Sequence, residues 1–251
     1  MKKRIFLGLF FYLTSIALPR NLIFAQDQFR EDYSLWQKIL GTYVDDQGRV
    51  DYAGLKKNRR ELDQFIEQIQ NFDLSGLKEQ EQIAFWINAY NALTIQTIID
   101  HYPVKSIRHI QFGLVWKIKT KVATREMSLD DIEHKILRPK GDPRIHFAIN
   151  CASLGCPRLS REAFYSDRID QQLNHEANKF INDPEKVRLD PSTNTLFYSS
   201  IFDWYRVDFE KVSPTILDYI KHYLNKEDSD YLAKNKVNLK IIPYNWGLNR
   251  Q

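Results

Sequence analysis

The sequence predicts a mainly helical α+β domain, with short strands and hairpins set around one buried central helix at about residues 79–101. Three observations predict it. Apolar residues recur at helical spacing in several separate segments. The stretch Gln82–Ile99 runs for 18 residues without a charge. Short β-rich runs are separated by turn residues, with no repeat, low-complexity tract or long linker between them.

Taken in order, residues 29–43 place Phe29, Tyr33, Trp36, Ile39, Leu40 and Tyr43 on one helical face. A turn at Asp45–Gly48 and a short extended piece at Arg49–Tyr52 follow. Leu62, Phe65, Ile66 and Ile69 mark a second amphipathic helix ending near Asn71. The charge-free stretch carries six amide or hydroxyl side chains besides its tyrosine, which argues for a helix buried in protein rather than a membrane span. Pro103 ends it. Asn88 and Asn91, three apart, share a face; they either tie loop backbone to the helix or line a site.

Residues 114–127 alternate loosely and predict a hairpin. Ser128, with Asp131 three residues on, is an N-cap signal for a helix through Ile132, Ile136 and Leu137 that stops before Pro139. Ile145–Ile149 predicts a short strand. Residues 167–182 predict a helix with Ile169, Leu173, Ala177, Phe180 and Ile181 inward. Val187–Leu189 and Leu196–Tyr198 predict a second hairpin across a turn. An aromatic knot at Ile201–Phe209, a helix at Pro214–Leu224 and a strand at Leu239–Ile242 complete the chain.

Residues 1–25 predict a secretory signal peptide, and 26–251 a single domain. Met1-Lys2-Lys3-Arg4 is a positive n-region, an apolar run follows, and Ala25 precedes the polar Gln26-Asp27. The bulky Ile23 spoils the small-x-small pattern, so an uncleaved anchor is the competing reading. The apolar run is short of the ~20 residues of a span. Export to the periplasm or the extracellular space, with no stable membrane span after cleavage, is the expectation. The leader holds the entire formal charge of +4; the remainder has 32 basic and 32 acidic residues. A balanced surface argues against a nucleic-acid partner, which needs a basic face.

Both cysteines lie in His146-Phe-Ala-Ile-Asn150-Cys151-Ala-Ser-Leu-Gly-Cys156, closed by Pro157. On an extended strand His146, Ala148 and Asn150 share a face, and five extended steps span roughly 16 Å. His146 then serves Cys151 as a base only if the chain turns at Asn150. Cys151 could instead begin a helical turn, where free N–H groups stabilise a thiolate, the plan of papain-like and transglutaminase-like thiol enzymes. A Cys151–Cys156 disulfide, with Gly155 supplying positive φ, competes. A metal site joining His146, Cys151, Cys156 and His134 lacks CxxC or HxxxH spacing, and no cofactor is expected. In Ser199–Phe209, Asp203, Trp204, Arg206 and Asp208 form either an acid–arginine pair holding an aromatic corner or a polar cleft wall that includes a carboxylate orienting an imidazole. His101, His109, His175 and His222 read as surface or helix-end residues.

Several segments together resemble the domain-of-unknown-function family 547. They are Phe85-Trp-Ile-Asn-Ala-Tyr-Asn-Ala92, Ser128-Leu-Asp-Asp-Ile-Glu-His134, Asp142-Pro-Arg-Ile-His-Phe-Ala-Ile-Asn-Cys-Ala-Ser-Leu-Gly-Cys-Pro157, Ile201-Phe-Asp-Trp-Tyr-Arg-Val-Asp-Phe209 and Tyr244-Asn-Trp-Gly-Leu-Asn249. The resemblance spans roughly residues 35–249. It implies an exported bacterial member and marks Asn88, Asn91, Glu133, His134, Arg144, His146, Asn150, Cys151, Asp203 and Asp208 as positions that fit the family pattern. The resemblance also implies that many plant relatives keep the first cysteine while the second is replaced, which favours a role for Cys151 without Cys156.

The functional expectation is a thiol-dependent hydrolase or acyl-transferase acting on a peptide or amide of the cell envelope. Cys151 would be the nucleophile, His146 or His134 the base, and Asp203 or Asp208 the orienting carboxylate, beside Asn150. Asn88, Asn91, Arg144 and Trp204 would line the substrate. The alternative is a non-catalytic envelope binding domain with a structural Cys151–Cys156 bond.

Overall fold

The computed structural model describes residues 31–251, so the expected leader and Phe29 lie outside the described residues. Four helices open the described chain: α1 (Ser34–Tyr43), α2 (Tyr52–Lys57), α3 (Arg60–Asn71) and the long α4 (Glu79–His101). α1 buries Trp36, Ile39 and Leu40, and α3 buries Leu62, Phe65, Ile66 and Ile69, as their spacing predicts. Trp36 stacks on Phe65 with ring centroids 5.5 Å apart, which fixes α1 on α3. Arg49–Tyr52 is a correction. Val50 does bridge to Val44 and Arg250, but Tyr52 already starts α2, because the Asp51 side chain accepts from Gly54 N–H.

α4 is the predicted spine. Every residue from Ala84 to Ile95 is buried, so the helix is covered on all sides rather than on one stripe. Each fully buried large side chain contributes about 1.5–3 kcal/mol, enough to offset the few buried amides once those are paired. α2, α3, the segment after β2 and α7 pack around it.

Only the second half of the predicted 114–127 hairpin forms, as β1 (Thr120–Val122) and β2 (Arg125–Met127); Val115–Lys117 is a 3₁₀ turn. α5 (Leu129–Asp131) begins at a capping box. Ser128 Oγ accepts from Asp131 N–H, and the Asp131 carboxylate accepts from Ser128 N–H. The helix then widens into a π-helical turn over Ile132–Leu137.

Ile145–Ile149 is not a strand. Ile145–Ala148 is a short helix, α6, started by Asp142-Pro143, with Asp142 Oδ1 accepting from Arg144 N–H and Ile149 N–H bonding Ile145 C=O. An apolar run of five residues carries no periodicity that separates a strand from a buried helix. The Asp-Pro start signal ahead of it decides the matter.

α7 (Ile169–Ile181) follows as predicted. β3 (Val187–Asp190) and β4 (Thr195–Ser199) pair antiparallel, and β5 (Asn238–Ile242) adds parallel to β4. Between β4 and β5 lie α8 (Ser200–Trp204), α9 (Arg206–Glu210), α10 (Ile216–Tyr223) and α11 (Lys226–Lys234), the last unpredicted and capped by Asn225. Phe147, Phe180, Phe202, Phe209 and Tyr219 pack together under these helices, so the aromatic knot is a second core. Residues 33–251 form one unit by their contacts.

The last residues are a strap. Leu154 and Gly155 N–H bond the carbonyls of Gly247 and Asn245, Asn249 N–H bonds Ala152 C=O, and Gln251 N–H bonds Val50 C=O. The C-terminus thereby holds the cysteine loop against the N-terminal helices.

Candidate functional site

The cysteine loop is built by buried amides. Asn91 Nδ2 donates to Ala148 C=O at 3.0 Å, and its Oδ1 accepts from Asn150 N–H at 2.8 Å. Asn88 makes the same two-bond clasp on Phe164, at 2.8 and 3.0 Å. Asn150 donates to Pro157 C=O and accepts from Ala152 N–H, so its amide closes the loop on itself. None of the three faces a reacting atom. Asn88 and Asn91 are buried as expected, yet they position backbone and do not line the cleft beside the cysteines. Asn150 is likewise a positioning residue.

Ala152 sits at φ +60°, a left-handed conformation that costs a non-glycine residue of order 1 kcal/mol. The bonds from Asn150 and Asn249 hold it there. Gly155 does not supply positive φ, which corrects the expectation for it. A Cβ at Gly155 would lie 2.9 Å from Asn245 N and from the Tyr244 ring, so glycine is required by the close approach of the strap.

Cys151 does not start a helix. The chain turns after α6, and the thiol reaches its surroundings from a loop. Both cysteines are free, with Sγ atoms 2.6 Å apart, against roughly 2.05 Å for a covalent bond. Tyr244 Oη lies 3.1 Å from each sulfur, and Cys151 N–H donates to Cys156 Sγ at 3.0 Å. The hydrogen bond from Cys156, then that from Tyr244, pulls the Cys151 thiol below its ordinary value against the opposing effect of burial. Burial pushes Cys156 up, so it keeps its proton. The pair therefore resolves into one acidic and one retained thiol, without the helix dipole that the sequence suggested.

A cleft of about 380 Å³ opens over this pair. Cys151, Cys156, Pro157 and Ile149 form part of its lining, with Trp116, Trp204, Tyr244 and Trp246 as an aromatic wall. Trp204 packs on Tyr244 at 4.8 Å and on Trp246 at 5.8 Å while staying half exposed, which agrees with its expected place at the cleft. Glu133, His134, His146, Tyr90 and Tyr205 also line it, with Lys117 and Asp130 among the remaining lining residues.

His146 is buried and bonds Asp208 through Nε2 at 2.9 Å. Arg138 Nε donates to the same carboxylate oxygen at 2.6 Å. The His146 bond, then Arg138, holds Asp208 well below the usual carboxylate range. An ionised carboxylate only accepts, so Nε2 carries the proton. Burial lowers the imidazole's pKa, so the ring is neutral and Nδ1 keeps its lone pair. That Nδ1 is buried and has no hydrogen-bond partner among the described residues. The ring stacks on Tyr205 at 3.8 Å, which fixes its plane.

Of the two acids, Asp208 is the one that bonds an imidazole. Asp203 does not: it is exposed and pairs with Arg206. The two acids lie on separate short helices, α8 and α9, and only Asp208 bonds His146 on α6. Arg144 is also corrected, since it bridges Asp142 and Asp170 at 2.7 Å away from the cleft. His134 reaches the rim, where Nε2 sits 3.6 Å from Asp130 and Nδ1 lies 3.0 Å from Arg138. No hydrogen bond joins Cys151 to either imidazole among the described residues. Nor do His146, Cys151, Cys156 and His134 gather as a metal-ligating group there. No helix among those residues is long and apolar enough to cross a membrane.

Glu133 is the site residue that residue-level reasoning left without a role. It lies on the π-helical turn, buried, and accepts from Tyr90 Oη at 3.3 Å and from Tyr205 Oη. Tyr244, Trp246 and Asn249 were equally unassigned, although the closing motif that contains them was legible as a segment. Asn249 accepts from Tyr52 Oη at 2.7 Å and donates to Asn150 Oδ1 at 3.3 Å.

Fold and site together define a helical α+β domain with a cysteine-bearing cleft. Residues 74–181 match the model of a family described as protein of unknown function, DUF547, so this segment is similar to domain-of-unknown-function family 547. The matched segment carries Glu133, His146 and Cys151. Asp208, Tyr244 and the tryptophans at 204 and 246 lie beyond it. No curated protein and no solved structure matches the chain.

Proposed function

We propose that this domain is a thiol-dependent hydrolase or acyl-transferase that acts on a peptide or amide of the cell envelope. The observation that carries the reading is that His146, held by Asp208 and with its buried Nδ1 unpartnered among the described residues, lines the same cleft as the acidified thiol of Cys151. Cys151 sulfur attacks the carbonyl carbon, forming the C–S bond as the π pair moves to oxygen. His146 Nδ1 takes the thiol proton, directly or through a water, and passes it to the departing nitrogen as the C–N bond breaks. Water, or an acceptor amine, then attacks the thioester, and Nδ1 takes its proton and returns it to Cys151. The Tyr244 hydroxyl, whose own proton burial holds, stands 3.1 Å from the sulfur and keeps the thiolate hydrogen-bonded between turnovers.

The test is acylation of reduced protein by 4-nitrophenyl acetate, read by intact and peptide mass spectrometry. One acetyl group on Cys151 is expected, absent in Cys151→Ser and kept in Cys156→Ser, with slower loss in His146→Gln. No adduct, or equal labelling of Cys156, defeats the reading.

The close Sγ pair favours a second reading, a non-catalytic envelope binding domain with a structural Cys151–Cys156 disulfide. Unreduced protein in which neither sulfur alkylates, with Cys151→Ser and Cys156→Ser destabilised alike, supports it. Both readings set the domain outside the cytoplasm after cleavage near Ala25. N-terminal sequencing of envelope fractions checks this: Gln26 is expected first, and intact Met1 on cytoplasmic protein overturns it.

A further inference from the structure

Two acceptors, the Glu133 carboxylate and His146 Nδ1, are buried among the residues that line the cleft. Glu133 retains 7% exposure and spends its two oxygens accepting from tyrosine hydroxyls. Among the described residues no lysine, arginine or histidine forms an ion pair with it. The neighbouring cations are committed elsewhere. Arg138 is held by Asp208, and Lys117 is an exposed rim residue 3.6 Å from Asp130. His146 Nδ1, also buried, is a second acceptor without a donor. A buried carboxylate without a counter-ion is costly, and a buried unpaired acceptor adds to that cost. What relieves both is a ligand that brings positive charge and N–H donors.

We propose that the cleft recognises a substrate bearing an ammonium group, bound at Glu133, with its carbon stem against the Trp204 and Trp246 wall. The assignment rests on the cleft being the substrate site, and it narrows the amide class to amino-bearing amides. Carboxylate oxygens have lone pairs beyond those used by the tyrosines, so Glu133 can accept from an ammonium without losing Tyr90 or Tyr205. The aromatic wall suits an aliphatic stem and adds attraction for the cation. An anionic group at the same place would face Glu133 and two hydroxyls already donating to it, so acidic substrates are excluded there.

The ammonium can belong to a side chain or to a free α-amine, and three probes separate the cases. Nα-acetyl-lysine methylamide carries only the side-chain ammonium, norleucine methylamide only the α-ammonium, and Nα-acetyl-norleucine methylamide neither. Binding to the reduced Cys151→Ala chain is read by tryptophan fluorescence titration, which needs no turnover. At least one cationic probe is expected to bind about ten-fold or more tightly than the neutral one. Glu133→Gln should abolish the preference, and Asp130→Asn at the rim should leave it. Equal binding of all three, no binding of either cation, or a preference that survives in folded Glu133→Gln overturns the assignment. If Glu133→Gln fails to fold, the three-probe comparison on the parent still decides. Acylation of Cys151 is scored separately, so a cation preference without acylation fails the thiol chemistry and not this assignment.

Discussion

Asp208 decides what His146 can be. Its charge, shared with Arg138, fixes the imidazole proton on Nε2, while burial keeps the ring neutral. The pH dependence follows in sign. A histidine whose folded pKa is lowered contributes stability that is full above the unfolded value of ~6.5 and is lost as pH falls below it. Denaturant unfolding is expected to show stability declining as pH falls below about 6.5, at up to ~1.4 kcal/mol per pH unit for the one proton. His146→Gln, which keeps a donor for Asp208, should remove that contribution. Burial raises the Glu176 carboxyl, which acts in the opposite sense, so the informative quantity is the difference between parent and variant. Identical pH profiles would contradict the neutral buried imidazole.

The thiol pair carries a second residue-scale expectation. Cys151 owes its acidity first to Cys156 and next to Tyr244. Iodoacetamide should modify Cys151 of reduced protein with an apparent pKa below the ~8.5 of a free cysteine. Cys156→Ala should move that value up, and Tyr244→Phe should move it by less. A value at or above ~8.5 in the parent, or no change in Cys156→Ala, would show that the sulfur pair does not activate the nucleophile.

Among the elements, α4 carries two clasps from one face with different consequences. Asn88 holds the Phe164 backbone, and Asn91 holds the segment that leads into Cys151. Either alanine substitution orphans a buried backbone N–H and C=O, so each should lower stability by about 1–3 kcal/mol. Only Asn91→Ala should also alter Cys151 alkylation, because only that clasp sets the loop. Thermal unfolding and alkylation measured on both variants check the split. Variants within ~0.5 kcal/mol of the parent would place the amides outside the load path.

The elements also show where local reading stops. The capping box at Ser128 was legible because both partners lie within one turn. α6 was misread because its apolar run is short, and the Asp142-Pro143 start that makes it helical received no weight. The π-helical turn has no sequence signature, yet it is what sets Glu133 inward and His134 at the rim, as adjacent residues on one turn.

At the scale of the molecule, the site is completed by the chain's far end. Asn249 joins Tyr52, Gly48 and Asn150, contacts separated by as many as 201 positions, and the strap brings Tyr244 to both sulfurs. Asn249→Ala should therefore lower stability by about 1–3 kcal/mol and change Cys151 alkylation together. Tyr52→Phe, which removes one bond only, should do less. Alkylation unchanged in a clearly destabilised Asn249→Ala would separate the strap from the loop.

What the sequence determined by itself is periodicity, capping and composition: the buried spine, the amphipathic helices, the second hairpin and the concentration of reactive groups at His146–Cys156. These are local properties, set by backbone geometry and by which side chains water rejects. The choice of Asp208 over Asp203, the pairing of Cys151 with Tyr244, the burial of Glu133 beneath two tyrosine hydroxyls and the role of Gly155 were decided only by the tertiary structure. Each depends on which distant segment packs against which, and residues 43 to 93 positions apart leave no local pattern for that choice.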